Sequence, residues 1–198
     1  MRRLPPAFLL GVLLLATLPC CSGEGGMPQE PAVNFQEELS LAWGQFRVGN
    51  YPAASVSFRL LQRRFPETTE PRVGIGWCQI AIDSLEDAYE TFQAAGGLQG
   101  GPDLLAGIAV AASAMGMDSV AVAATSWATD PSWVFVGDAD FGHRDIVYIR
   151  ALGEFPLRRY ANCYASLLIL IPNLRIDLEA FDFREDLFAA LESLRGQV

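Results

Sequence analysis

Apolar positions in residues 35–131 recur at the spacing of helices rather than strands. Between Phe35 and Val48, Leu39, Ala42, Trp43 and Phe46 fall at the 3, 4 and 7 separations that gather side chains on one helical face. Gly49-Asn50 breaks the pattern. Tyr51-Pro52 then opens a second helix, because proline is tolerated in a first turn where its missing N–H costs no bond. Val56, Phe58, Leu60, Leu61 and Phe65 carry that helix to Pro66. The arrangement returns 34 positions later: Leu41-Ala42-Trp43, Tyr51, Ala54 and Phe58 are answered by Ile75-Gly76-Trp77, Leu85, Ala88 and Phe92. A period of this length denotes helix pairs that cannot bury their apolar faces alone and therefore stack.

The second pair is expected over Pro71–Ile82 and Ser84–Ala95. After the glycine-rich joint Gly96-Gly97-Leu98-Gln99-Gly100-Gly101, the next match comes at a spacing of 35. There Asp118-Ser119-Val120 answers Asp83-Ser84-Leu85, Ala123 answers Ala88 and Trp127 answers Phe92. The first helix of this third unit, Pro102–Met115, is nearly all Ala, Leu, Ile, Val and Gly, which predicts burial on most sides. Trp133 to Phe141 reads as an irregular connection. A degenerate fourth unit follows over 143–172, where Gly153-Glu154-Phe155-Pro156 echoes Gly49-Asn50-Tyr51-Pro52. The segment 182–195 closes the chain as an amphipathic capping helix, with Asp182 and Glu185 spaced as a capping box.

The first 33 residues follow different rules. Met1-Arg2-Arg3, the apolar run Ala7 to Thr17 and Leu18-Pro19-Cys20-Cys21 have the order of an export signal, and the run is too short to span a bilayer. Leu18, three residues before Cys21, with small Cys20 between, resembles the bacterial lipoprotein cleavage box. That resemblance implies removal of 1–21 as a signal and lipidation of Cys21, with Cys20 as the alternative. Residues 22–33, rich in Gly, Pro and polar side chains, read as a flexible tether, and the folded domain is expected over 34–198. Loss of Arg2 and Arg3 takes the formal charge from −9 to −11, which disfavours nucleic acid and anionic headgroups as partners. The chain has no lysine, which excludes a P-loop and Schiff-base chemistry. Cys78 and Cys163 fall in different helix pairs and are expected as separate buried thiols.

One cluster has the residue types of a metal site: Asp138, Asp140, His143 and Asp145, around the only histidine of the chain. It fails the calcium-loop pattern, with Gly142 and Ile149 at ligand positions. The simpler expectation is a helix start with solvated carboxylates and no metal. No G-x-S-x-G is present, Gly74-Ile75-Gly76 lacks a third glycine, and a lone histidine would have to serve any triad. The expectation is therefore a non-enzyme without a cofactor.

A small residue at the eighth position, Ala-x-x-x-aromatic in the second helix and a closing proline together resemble the tetratricopeptide repeat family. The resemblance covers Phe35 to Pro131 well and Asp145 to Pro172 loosely. It departs from the family at Glu38 and Arg72, where a tryptophan is usual, and at Gln45 and Gln79, where a tyrosine is usual. It implies an all-α, right-handed superhelix of antiparallel helix pairs, a TPR-like α-solenoid with repeats 35–68, 69–101, 102–131 and 143–172. The family's concave positions map onto Gln36, Leu39, Trp43, Phe46 and Arg47, then Glu70, Val73, Trp77, Ile80 and Ala81. Two readings of Trp43 and Trp77 follow: stacked anchors on an open groove, or core between repeats, covered by the C-terminal helix folding back. With the lipoprotein-like signal, the chain is similar to bacterial envelope lipoproteins with such repeats. The function expected is a lipid-anchored scaffold that holds another envelope protein or peptide segment in its groove. The alternative is a small-molecule or peptide binder whose pocket the C-terminal helix closes.

Overall fold

The computed structural model describes residues 34–196. The export signal, the tether, Cys20 and Cys21 lie outside the described residues. Within them run α1 (Phe35–Arg47), α2 (Tyr51–Arg64), α3 (Glu70–Ala81), α4 (Leu85–Ala95), α5 (Pro102–Ala114), α6 (Asp118–Ala124), α7 (His143–Glu154), α8 (Tyr160–Leu170) and α9 (Phe183–Leu194). Each helix packs on the next, and α1, α3, α5, α7 and α9 also pack in succession on one another. Odd-numbered helices thus form one layer and even-numbered helices the other, an all-α solenoid. Among the described residues the sole extended pairing is an isolated antiparallel bridge, Val134 to Gly142.

The stacking distance is set by two phenylalanines. Phe58 of α2 and Phe92 of α4 are fully buried, and each is received by a glycine of the following odd helix. A Cβ built on Gly74 would lie 2.5 Å from the Phe58 ring, and one on Gly107 would lie 2.2 Å from the Phe92 ring. On its other side Phe92 meets Gly76, where a Cβ would come within 2.6 Å. Gly76, the small residue of the repeat pattern, thus receives the ring of its own pair, while Gly74 and Gly107 admit the aromatic wedge of the preceding pair.

Four turns join the helices of each pair in the same way. Gly49, Asp83, Gly116 and Arg158 take positive φ of 77, 62, 71 and 57°. The following residue donates back across the helix end, as in Asn50 N–H to Gln45 O at 2.9 Å, Ser84 to Gln79 at 2.9 Å, Met117 to Ala112 at 2.8 Å and Arg159 to Glu154 at 2.9 Å. Helix starts use side-chain caps in two cases: Asn34 Oδ1 accepts from Gln36 N–H at 3.2 Å and Asn50 Oδ1 from Ala53 N–H at 3.4 Å.

These turns correct three sequence expectations. Gly116 is the counterpart of Asp83, a spacing of 33 rather than 35. Ala121 accordingly takes the buried place assigned to Ala123, which is exposed, and Thr125 rather than Trp127 stands where Phe92 stood. In the fourth pair the turn is at Arg158. Gly153 lies inside α7, buried with its Cα side against Val122 and the Asp118 carbonyl, so α8 begins at Tyr160 instead of Pro156. Asp182 precedes α9 but makes no side-chain cap bond, so no capping box forms there. The α9 helix lies against α7 and α8.

Replacement of the wedge by Thr125 leaves a gap that a charged side chain fills. Arg150 of α7 donates to the Thr125 and Ala128 carbonyls and to Thr125 Oγ1, just beyond the end of α6, where a positive charge is favoured. One turn on, buried Glu154 accepts from Ser166 Oγ at 2.9 Å. Burial raises the Glu154 carboxyl above its ordinary value, against the opposing effects of Ser166, Arg150 and Arg159. Cys78 and Cys163 are buried free thiols in separate clusters, and burial pushes each up to about 12.

Two outcomes follow. Gly107→Ala and Gly74→Ala should each cost about 1–3 kcal/mol by overpacking, whereas Gly44→Ala, which has open space for its Cβ, should gain about 0.5–1 kcal/mol from helix propensity; urea unfolding of the three variants checks this. Folding raises the Glu154 pKa, so the native state holds the proton more tightly and stability falls as pH climbs from the ordinary carboxylate range through the native value. Glu154→Gln, which keeps an acceptor for Ser166, should flatten that fall in melting temperature as pH rises above the ordinary carboxylate range.

Candidate functional site

The odd-numbered helices form the inner layer, and the side chains expected to line a groove lie on it. Their surface is not open. The connection between α6 and α7 folds back over it, and Trp43 and Trp77 are only 5% and 6% exposed. Phe135 is the covering side chain: its ring stacks on Trp77 at 4.1 Å and meets Trp43 edge-on at 5.5 Å and Phe46 at 6.1 Å. Phe141 adds an edge contact with Trp77 at 5.6 Å. The indoles are therefore core and are not stacked on one another, and the cover is residues 133–141 rather than the C-terminal helix. The alternative reading, a pocket closed by that helix, is corrected on the same ground.

Polar bonds hold the cover in place. Asp103, in the first turn of α5, receives two indole N–H groups: Trp77 Nε1 donates to its carbonyl at 2.9 Å and Trp133 Nε1 to its Oδ1 at 3.1 Å. Arg47 Nη1 donates to the Val136 carbonyl at 3.0 Å. Gly137 permits the turn, since a Cβ there would lie 2.5 Å from the Phe135 ring. Burial raises the Asp103 carboxyl, and the Trp133 bond opposes that rise.

Beside the cover remains a cleft of about 1020 Å³. Gln36, Leu39, Ser40, Trp43 and Arg47 of α1 form one wall, and Glu70 and Val73 of α3 the floor. The glycine joint with Asp103 and Leu104 closes one end, and Trp133, Val134 and Val136 form the far wall. Of the concave positions expected, Gln36, Leu39, Trp43, Arg47, Glu70 and Val73 line it. Phe46 and Trp77 lie beneath Phe135, and Ile80 packs partly buried against the same core. Trp133, Val134, Val136 and Asp103 are additions that the repeat pattern could not supply. One signal was present: three aromatics, Trp133, Phe135 and Phe141, within nine residues are too apolar for a solvated connection.

The Asp138 to Asp145 cluster serves loop and helix geometry. Asp138 Oδ1 accepts from Asp140 N–H at 3.0 Å, Asp145 Oδ2 accepts from Gly142 N–H at 2.7 Å, and His143 is the first residue of α7. Among the described residues no three His, Cys, Asp or Glu side chains come together as a metal site.

The sequence matches no family model and no curated protein. The structure is similar to the crystal structure of a tetratricopeptide repeat protein from Parabacteroides merdae, with a TM-score of 0.55 at 19% identity over 82% of this chain. The match covers 60% of that chain, so the present one spans less than two thirds of its length. The fold is thus the tetratricopeptide-like α-solenoid that the 34-residue period implied.

Phe135→Ala should cost about 3–5 kcal/mol and shift tryptophan emission to the red, with greater acrylamide quenching as Trp43 and Trp77 meet water. Unchanged emission and quenching would contradict the covering role.

Proposed function

We propose that the chain is a lipid-anchored, non-enzymatic scaffold of the bacterial envelope that holds a segment of another envelope protein in the cleft beside residues 133–136. The observation that carries this reading is the cleft itself. Apolar Leu39, Val73, Leu104 and the edges of two tryptophans share it with a few charged groups, Arg47, Glu70 and Asp103. Such a mixture suits a peptide, with apolar side chains supplying affinity and polar groups fixing register. The volume lies at the upper limit of small-molecule pockets, which favours a chain segment over a compact ligand. The helical-repeat fold supports an interaction role in general. The lipoprotein-like box at Leu18 to Cys21 supports the anchor and the envelope location. Among the described residues no helix is long and apolar enough to cross a membrane.

A photo-crosslinking residue at Ser40, exposed in the cleft, should give a discrete adduct in cells, while the same residue at Glu90, exposed on α4, should not. The same adducts from both positions, or none, would refute the cleft as the binding face. Fatty-acid labelling should vanish in Cys21→Ser and persist in Cys20→Ser; labelling that survives in Cys21→Ser would remove Cys21 as the anchor.

A further inference from the structure

The covering segment carries an open strand edge. In an antiparallel bridge whose flanking residues make the hydrogen bonds, the bridging residues turn their own N–H and C=O outward. Here the flanking bonds are Phe135 N–H to Phe141 O at 2.9 Å and His143 N–H to Trp133 O at 3.1 Å, so the outward groups belong to Val134 and Gly142. The Gly142 side is closed, because its N–H donates to Asp145 Oδ2. The Val134 side is open: neither its N–H nor its C=O has a partner among the described residues. This edge faces the cleft, since Val134 and Val136 both line it and Arg47, from the α1 wall, reaches the Val136 carbonyl across it.

Charge along the cleft is graded. Glu70 and Asp103 stand in the first turns of α3 and α5, at one end of the inner layer, and Arg47 stands in the last turn of α1, at the other. The ion pairs found among the described residues, Arg64–Glu38 and Arg195–Glu192, involve neither carboxylate. Asp103 is tied through Trp133 to the residue next to Val134. Its carboxyl has no ion-pair partner among the described residues.

Resting on the cleft reading above, we propose that an extended peptide segment of a partner protein docks as an added strand on Val134. Its basic side chain reaches Asp103 and Glu70 at the end away from Arg47. Main-chain bonds to an exposed edge supply affinity largely independent of sequence, and the graded charge sets direction.

The test pans a random 12-residue peptide library against the full chain and against Ser40→Trp, which fills the cleft from an exposed position. A recovered peptide is then made with single backbone N-methyl groups and with its basic residue replaced by norleucine. The expected result has three parts. Amide exchange at Val134 slows on saturation, one N-methyl position weakens binding about tenfold or more, and Asp103→Asn weakens the basic peptide about tenfold but leaves the norleucine peptide unchanged. Binding that Ser40→Trp abolishes, with Val134 exchange unaltered and every N-methyl tolerated, overturns strand pairing and leaves the cleft reading standing. Recovery of neutral or acidic peptides alone overturns the charge assignment. Failure to recover any peptide that distinguishes the full chain from Ser40→Trp overturns both readings together.

Discussion

Everything in this fold depends on how closely one helix pair approaches the next, and that approach is set by Phe58 against Gly74 and Phe92 against Gly107. A glycine on the receiving helix lets an aromatic ring lie on bare backbone, closer than any side chain would allow. The same contacts align α1, α3 and α5 in one layer, and this alignment makes a concave surface out of residues separated by a repeat. The part of the cleft lined by Leu39, Trp43 and Val73 is a consequence of that spacing.

The rule first fails at the third junction, and that failure produces the rest of the site. Thr125 replaces the aromatic wedge, and Arg150 spans the gap just beyond the end of α6. The chain leaving that helix does not pass directly into α7. It turns back over the inner layer and places Phe135 against both indoles. Burial of that ring, with Trp133 and Arg47 bonded at either side, converts an open groove into a narrower cleft with a strand edge as its wall.

The helices themselves were readable from hydrophobic spacing, capping residues and prolines, because each of those signals acts within a few residues. Register in the last two pairs was not. The positive φ at Arg158 is a property of the turn, and a side chain that rarely adopts it gives no hint of the turn's position. Glycine misled in the opposite sense at Gly153, where it serves close packing inside a helix rather than a helix end. The indoles Trp43 and Trp77 were correctly placed on the inner layer, yet their burial depends on Phe135, 58 or more residues away and outside the repeat. Nothing periodic connects those positions. Only the aromatic density of residues 133–141 marked the connection as something other than a solvated loop.

The central claim is that residues 133–141 are a fixed part of the concave face in the free chain. Nuclear Overhauser contacts between the Phe135 ring and the indoles of Trp43 and Trp77 test it most directly. The account predicts strong contacts to both, with the Trp77 contacts the closer. Absent contacts, with random-coil shifts across residues 133–141, would show the groove to be open and the cleft described here not to exist.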